Sequence, residues 1–178
     1  GRGREHEVIE VSTFRAYLDN SAAGQVSGNE KTSKAQLSGM QHAVDASGRV
    51  LRDNVWGPQD QDATRRDFTV NAMTVRLHGD GTQDFCDPLG GINDLEMGVL
   101  DTPQTPSVSF HDDPLRMIRA CRFVSKLGFT LAPRVTAAIT EMSGEITRIT
   151  AERIQAELDK LMLGAYPWDG IDLLCQTG

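Results

Sequence analysis

Arg65-Arg66-Asp67-Phe68-Thr69-Val70-Asn71-Ala72-Met73 interleaves two guanidiniums, a carboxylate and a side-chain amide with Phe68, Val70, Ala72 and Met73, four apolar side chains placed as buried anchors. Guanidiniums are planar forks that stay charged and match phosphate oxygens, while an aspartate or an asparagine takes a ribose hydroxyl. The nonapeptide therefore suits a polyphosphate joined to a sugar. The plain alternative is a helix end closed by a surface ion pair.

Just upstream, Asp60 and Asp62 form an Asp-x-Asp pair, a spacing that can hold two metal ions. Here the pair falls in what reads as the first turn of a helix, where acids favour the helix dipole, and no metal duty is assigned to it. Further upstream, residues 7–15 alternate Val8, Glu10, Ser12 and Phe14 against Ile9, Val11 and Thr13, the period of a strand. Glu10 is a carboxylate among β-formers, and its plain reading is an edge residue pointing at solvent. From 18 to 48 the chain turns to Ser, Gly, Gln, Asn and Ala, which predicts a long polar loop with a short helical piece near 35–42.

Downstream, residues 74–77 and 82–85 read as two strands joined by His78-Gly79-Asp80-Gly81, since an Asp-Gly step between strands is a hairpin signal. Residues 87–100 are interrupted by Gly90, Gly91 and Gly98, with Asp94 and Leu95 on a short helix. In 112–128, Asp113-Pro114 fits a helix N-cap with a first-turn proline. Met117, Ala120, Cys121, Val124 and Leu127 then mark the apolar face, and Arg116, Arg119 and Arg122 form a basic stripe. The plain reading of that stripe is a solvated helix face. After Gly128 the pattern is helical throughout: 133–142, then 151–163 with Ile154, Leu158, Leu161 and Met162 inward and Arg153, Glu157 and Lys160 outward, then a helix starting at 168.

With 178 residues the chain can bury a core of its own. A formal charge of −7 excludes a wholly basic nucleic-acid coat, so any RNA contact must come from a local Arg/Lys cluster. No apolar run reaches membrane-span length, and none reads as a signal peptide. Cys86, Cys121 and Cys175 are odd in number and outside CxxC spacing, which argues against a disulfide framework or zinc site and for a reducing cytoplasm. His6 and His42 have no partners at metal spacing.

The nonapeptide resembles the RRDFTxNA signature of the tRNA nucleotidyltransferase and poly(A) polymerase family, template-independent enzymes that extend RNA 3′ ends. EVSTFR resembles the family's EVTTFR, DDPLRMIRACRF its EDPLRxxRxxRF, and ITAERIQAELDKLM its ISxERIxxELxKLL. The resemblance implies an α+β fold: the distal part of a polymerase-β-like head over 1–104, a mixed sheet with helices, followed by an all-α neck over 105–178. It implies that Arg65, Arg66, Asp67 and Asn71 face the incoming nucleotide, that Glu10 is a third carboxylate near the catalytic metals, and that Asp67 takes part in catalysis. Asp113 and Arg116, one helical turn apart, would read the base edge, with Arg119 and Arg122 continuing towards phosphates. Asp112 departs from the glutamate of many members.

The implied reaction is attack of an RNA 3′ hydroxyl on the α-phosphate of CTP or ATP with release of pyrophosphate, assisted by two Mg2+ ions. The implied partners are tRNA or another RNA 3′ end and nucleoside triphosphates, with no membrane and no obligate protein partner. No phosphate-gripping GGxxRD turn or metal-holding Asp-x-Asp strand precedes Glu10. The sequence thus reads as an internal fragment whose metal-holding pair lies upstream and which does not add nucleotides by itself. The part from EVSTFR to RRDF is closer to bacterial poly(A) polymerases and the part from DPLGG onward to CCA-adding enzymes. CCA addition to tRNA is the leading expectation because the base-reading helix lies in the second part. Poly(A) synthesis and a non-catalytic RNA- or nucleotide-binding module are the alternatives.

Overall fold

A computed structural model describes residues 12–16, 24–25, 42–44, 50–53 and 56–178. Residues 7–11 of the expected first strand, Glu10 among them, lie outside the described residues, as do 35–41 of the expected helical piece. Within 18–48, β1 (Gly24–Gln25) pairs in parallel with β2 (His42–Val44), which pairs antiparallel with β3 (Val50–Asp53). A region expected to be loop therefore supplies two strands. Strands of two and three residues are too short to show an alternation in sequence.

Helix α1 (Gln59–Thr64) carries acids in its first turn and ends where Arg65 serves as its C-cap. Arg65 and Arg66 thus follow the helix. The chain passes through extended Phe68 into a 3-10 turn at Thr69–Asn71. The expected hairpin is present as β4 (Thr74–Leu77) and β5 (Gln83–Cys86), paired from Thr74↔Cys86 to Leu77↔Gln83. Next, α2 (Gly91–Met97) begins on the Asp87 carboxylate, which accepts from Gly91 N at 2.8 Å and Ile92 N at 2.9 Å. Gly91 abuts the 3-10 turn so closely that a Cβ would run into the Thr69 carbonyl. Thr69 Oγ1 also donates to Asp94 Oδ2 at 2.5 Å, so α2 backs the nonapeptide directly.

Strand β6 (Val99–Leu100) leads into α3 (Pro106–Asp112), a helix the sequence reading missed. Helix α4 (Leu115–Leu127) follows, started by Pro114 and stopped by Gly128 at φ +69°, a backbone conformation that suits glycine. Strand β7 (Thr130–Leu131) returns to pair in parallel with β6. Then come α5 (Pro133–Met142), a 3-10 segment at Ser143–Arg148, α6 (Ala151–Met162) and α7 (Pro167–Thr177).

Helix α4 is the centre of this part, packed against both α6 and α7. Because it is covered on more than one side, it buries Ile118, Phe123 and Ser125 beyond the expected Met117, Ala120, Cys121 and Val124. Leu127, expected inward, is 38 % exposed at the helix end. The core runs from Phe68 and Leu100 through Phe110, Met117 and Phe123 to Val135 and Ile139, with Phe68 edge-on to Phe123 at 5.7 Å. Both the core and the β6–β7 pairing cross residue 104. Burial of Phe68 alone contributes roughly 2–3 kcal/mol.

On α6 the structure corrects two placements. Glu157, expected outward, is buried at 5 % exposure, and Met162, expected inward, is 59 % exposed. Position 157 lies three residues after Ile154 and four before Leu161, inside the buried stripe. All three cysteines are free thiols, and burial pushes Cys121 up to about 12, so it is unreactive at neutral pH. Among the described residues no helix is long and apolar enough to cross a membrane.

Candidate functional site

The arginines of the nonapeptide are aimed by Asp62. Its Oδ1 accepts from Arg65 Nε at 3.0 Å and Nη2 at 2.6 Å, and its Oδ2 from Arg66 Nε at 3.1 Å and Nη2 at 2.9 Å. Arg15 N–H adds a fifth donor, to Oδ1 at 3.0 Å. Helical geometry makes this possible, because residues three and four apart share a face. Burial pushes the Asp62 carboxyl up, but Arg15 N–H, Arg65 and Arg66 outweigh it and hold its pKa below the usual value. Asp60, by contrast, is exposed, so the two acids of the Asp-x-Asp pair do not converge. The guanidiniums keep an open flank, with side-chain exposures of 28 % for Arg65 and 38 % for Arg66.

Asp67 points the other way, into the protein. Its Oδ1 accepts from Phe68 N at 2.9 Å and Asn71 Nδ2 at 3.0 Å, and its Oδ2 from Arg119 Nε at 2.9 Å and Nη2 at 2.5 Å. Burial raises its pKa, but the Arg119 charge, the Asn71 amide and the Phe68 N–H together bring it below the ordinary value. Four donors from the protein itself thus converge on one buried carboxylate. Arg119 reaches it from α4, 52 residues along the chain.

Arg116 makes the second join between the two motifs. Its Nη2 donates to the Arg65 carbonyl at 2.6 Å and its Nη1 to Ser109 Oγ at 2.8 Å. Burial lowers the pKa of this guanidinium, while Asp113, Asp67 and Asp112 push it back up, and it stays charged at neutral pH. Asp113 caps the start of α4, Oδ1 accepting from Leu115 N at 3.2 Å, and its Oδ2 accepts from Arg153 Nη2 at 3.0 Å. Asp113, in extended backbone just before α4, and Arg116, in its first turn, are each held by a partner the sequence did not suggest.

Arg122 is turned away from this surface. It is 12 % exposed, packs at 4.0 Å over the Phe123 ring, and lies with Nε 2.6 Å from Glu157 Oε2, an ion pair without the alignment of a hydrogen bond. Burial lowers its pKa and Glu157 opposes the shift. Arg119 Nη1 and Lys160 Nζ lie 3.6 Å from Glu157 Oε1. Glu157 is thus a buried carboxylate shared by three cations, continuous through Arg119 with Asp67.

Six guanidiniums (Arg65, Arg66, Arg116, Arg119, Arg122 and Arg153) and the Lys160 ammonium gather with five carboxylates (Asp62, Asp67, Asp112, Asp113 and Glu157). The surplus is positive, which fits an anion at the open flank of Arg65 and Arg66. Glu10 lies outside the described residues. For Mg2+ the described residues do not fit: none of their acids, histidines and cysteines gather in threes, and Asp62 and Asp67 are taken up by arginines. Ser109, Arg153 and Glu157, and Asp62 as the partner of Arg65 and Arg66, hold the candidate site residues in ways that the sequence reading did not give. Only Asp62, by its spacing to Arg65 and Arg66, and Glu157, by its place on the apolar stripe, carried a signal.

Likeness to known proteins places the chain in a family of nucleotidyltransferases. Residues 2–101 match the poly A polymerase head domain, and residues 128–178 match the probable RNA and SrmB-binding site of polymerase A. The chain belongs to the tRNA nucleotidyltransferase and poly(A) polymerase family. Poly(A) polymerase I of Escherichia coli O157:H7 is 32 % identical over 170 residues, 96 % of this chain and 33 % of that protein. The CC-adding tRNA nucleotidyltransferase of Halalkalibacterium halodurans is 42 % identical over 122 residues, 68 % of this chain and 31 % of that one. Among solved structures, the CCA-adding enzyme of Bacillus stearothermophilus in complex with CTP superposes with a TM-score of 0.63 at 36 % identity, covering 70 % of this chain and 31 % of its own. The Thermotoga maritima CCA-adding enzyme complexed with tRNA-CCA gives 0.59 at 32 %, covering 67 % and 29 %. This chain spans about a third of the length of the curated relatives it matches.

Proposed function

We propose that this chain is the nucleotide-selecting part of a template-independent RNA 3′-end nucleotidyltransferase, which adds CCA to tRNA from CTP and ATP. The reading rests above all on the join at Arg116 Nη2 and the Arg65 carbonyl, 2.6 Å apart, which brings the start of α4 against the nonapeptide. Arg65 and Arg66 grip the triphosphate from their open flank, and Asn71, held by Asp67, meets the ribose. Asp113 and Arg116 face the base edge, where a carboxylate accepts from an exocyclic amine and a guanidinium donates to ring nitrogen or carbonyl oxygen. Arg119 and Asp67 keep the two motifs in register, and Arg122 serves the core. Residues 1–104 form the head and 105–178 the neck.

In the reaction a bond forms between the RNA 3′ oxygen and the α-phosphorus while the bond to the bridging oxygen of the β-phosphate breaks, releasing pyrophosphate. The described residues position and stabilise charge in this step. Identity supports a tRNA as the RNA extended, since the match to the CC-adding tRNA nucleotidyltransferase is 42 % against 32 % for poly(A) polymerase I. Coverage favours poly(A) synthesis as the second reading, because the poly(A) polymerase matches 96 % of the chain. The test offers the full-length protein a tRNA ending before CCA beside an oligo(A) primer, with CTP and ATP supplied separately and together. Three nucleotides and a stop support CCA addition. An ATP-only ladder replaces it with poly(A) synthesis, and no extension of either primer leaves a binding module.

A further inference from the structure

Arg153 sits in the first turn of α6, 40 residues from Asp113, and its Nη2 donates to Asp113 Oδ2 at 3.0 Å. The other oxygen, Oδ1, accepts from Leu115 N at 3.2 Å. Two donors from different elements therefore fix the plane of one carboxylate. Each oxygen keeps a second lone pair for a ligand. The pair is open to solvent, with side-chain exposures of 43 % for Arg153 and 31 % for Asp113. One turn further along α6, Glu157 is buried against Arg119 and Arg122, which anchors the helix that carries Arg153.

We propose that Arg153 is a specificity-positioning residue that holds the Asp113 carboxylate in one orientation, so that it accepts from a base carrying an exocyclic amine and rejects a base carrying a carbonyl there. The inference rests on the reading of Asp113 as base-facing. Cytosine and adenine present an amine donor where uracil and guanine present a carbonyl acceptor. An anionic oxygen fixed in the base plane attracts the first and repels the second. Without Arg153 the carboxylate turns about its Cβ–Cγ bond, water enters between it and the base, and the distinction weakens. Arg153 itself touches no base.

The test compares Arg153→Ala, Arg153→Lys and Asp113→Ala in the full-length protein on a tRNA primer, measuring kcat/KM for CTP against UTP and for ATP against GTP. Melting curves are expected to stay within a few degrees of the parent, because a solvent-exposed pair adds little stability. Arg153→Ala is expected to lower both ratios by roughly tenfold, with partial rescue by lysine, which keeps the charge but not the planar fork. Calorimetric binding of CTP and UTP should show the same loss without turnover. The inference is overturned if Asp113→Ala collapses the ratios while Arg153→Ala leaves them intact, or if Arg153→Ala slows all four nucleotides in parallel. If Asp113→Ala also leaves both ratios intact, the base-facing reading of Asp113 fails first and this inference falls with it.

Discussion

Two acid–arginine clusters, one around Asp62 and one around Glu157, are built differently. Around Asp62 the contacts are local, three and four residues apart; the carboxylate is buried at 3 % side-chain exposure, but its arginines remain about one-third exposed. Around Glu157 the contacts with Arg119 and Arg122 join α4 to α6, and the Arg122–Glu157 pair is closed in at 12 % and 6 % side-chain exposure, while Arg119 and Lys160 reach solvent. An exposed pair gains little from its charges, whereas a buried one is costly to break because the surviving ion stays desolvated. The first cluster is therefore suited to meeting an external anion, and the second to holding two helices together.

The sharpest way to break this contrast is Glu157→Ala. It strands the buried Arg122 beside Arg119, and a loss of roughly 3–5 kcal/mol is expected in urea denaturation. A loss below about 1 kcal/mol would put the cluster in the same class as a surface pair. Asp67→Asn comes next, because it removes the charge that Arg119 meets with two hydrogen bonds, at a cost of roughly 2 kcal/mol.

The same substitution has a pH signature. The folded pKa of Asp67 lies below the ordinary 3.8, so its contribution is complete above that value and is lost as pH falls through the lower folded pKa. Acid titration of stability should therefore be shallower in Asp67→Asn below pH 3.8, with the share of Asp62, also lowered, remaining.

Arg66→Ala should separate stability from binding. Asp62 keeps Arg65 and Arg15 N–H, so the stability loss is expected to be about 1 kcal/mol or less. Binding of ATP or CTP to the full-length protein should weaken roughly tenfold or more, as expected for a lost charge-assisted contact. The smallest effect is predicted for Arg134→Ala, outside both clusters. Arg134 is 51 % exposed and pairs with Asp101 at 2.8 Å, and its removal should cost under about 1 kcal/mol by thermal melt.

The sequence showed α4, the hairpin and α5 to α7 because each is long enough for its period or carries a strong turn signal, as at Asp80-Gly81 or Gly128. It did not show β1 and β2, which are too short for a period, or α3, whose Pro106-Ser107-Val108-Ser109 start reads as loop. Within the site, Arg65, Arg66, Asp67, Asn71, Asp113, Arg116 and Arg119 were legible as a set. Their partners were not. Glu157 was assigned to solvent from its polarity alone, although its position on the helix put it among Ile154, Leu158 and Leu161.

What the sequence determined by itself is local: the periods of the helices, the Asp62 spacing to its arginines, and the wording of the motifs that name the family. What only the tertiary structure decided is which charges meet across 40 or 50 residues, namely Arg153 with Asp113, Arg119 with Asp67, and Arg116 with the Arg65 carbonyl. The reason is physical. Near neighbours are placed by backbone geometry, whereas distant partners are placed by the burial of Phe68, Phe110 and Phe123 in one shared core, which no local pattern encodes.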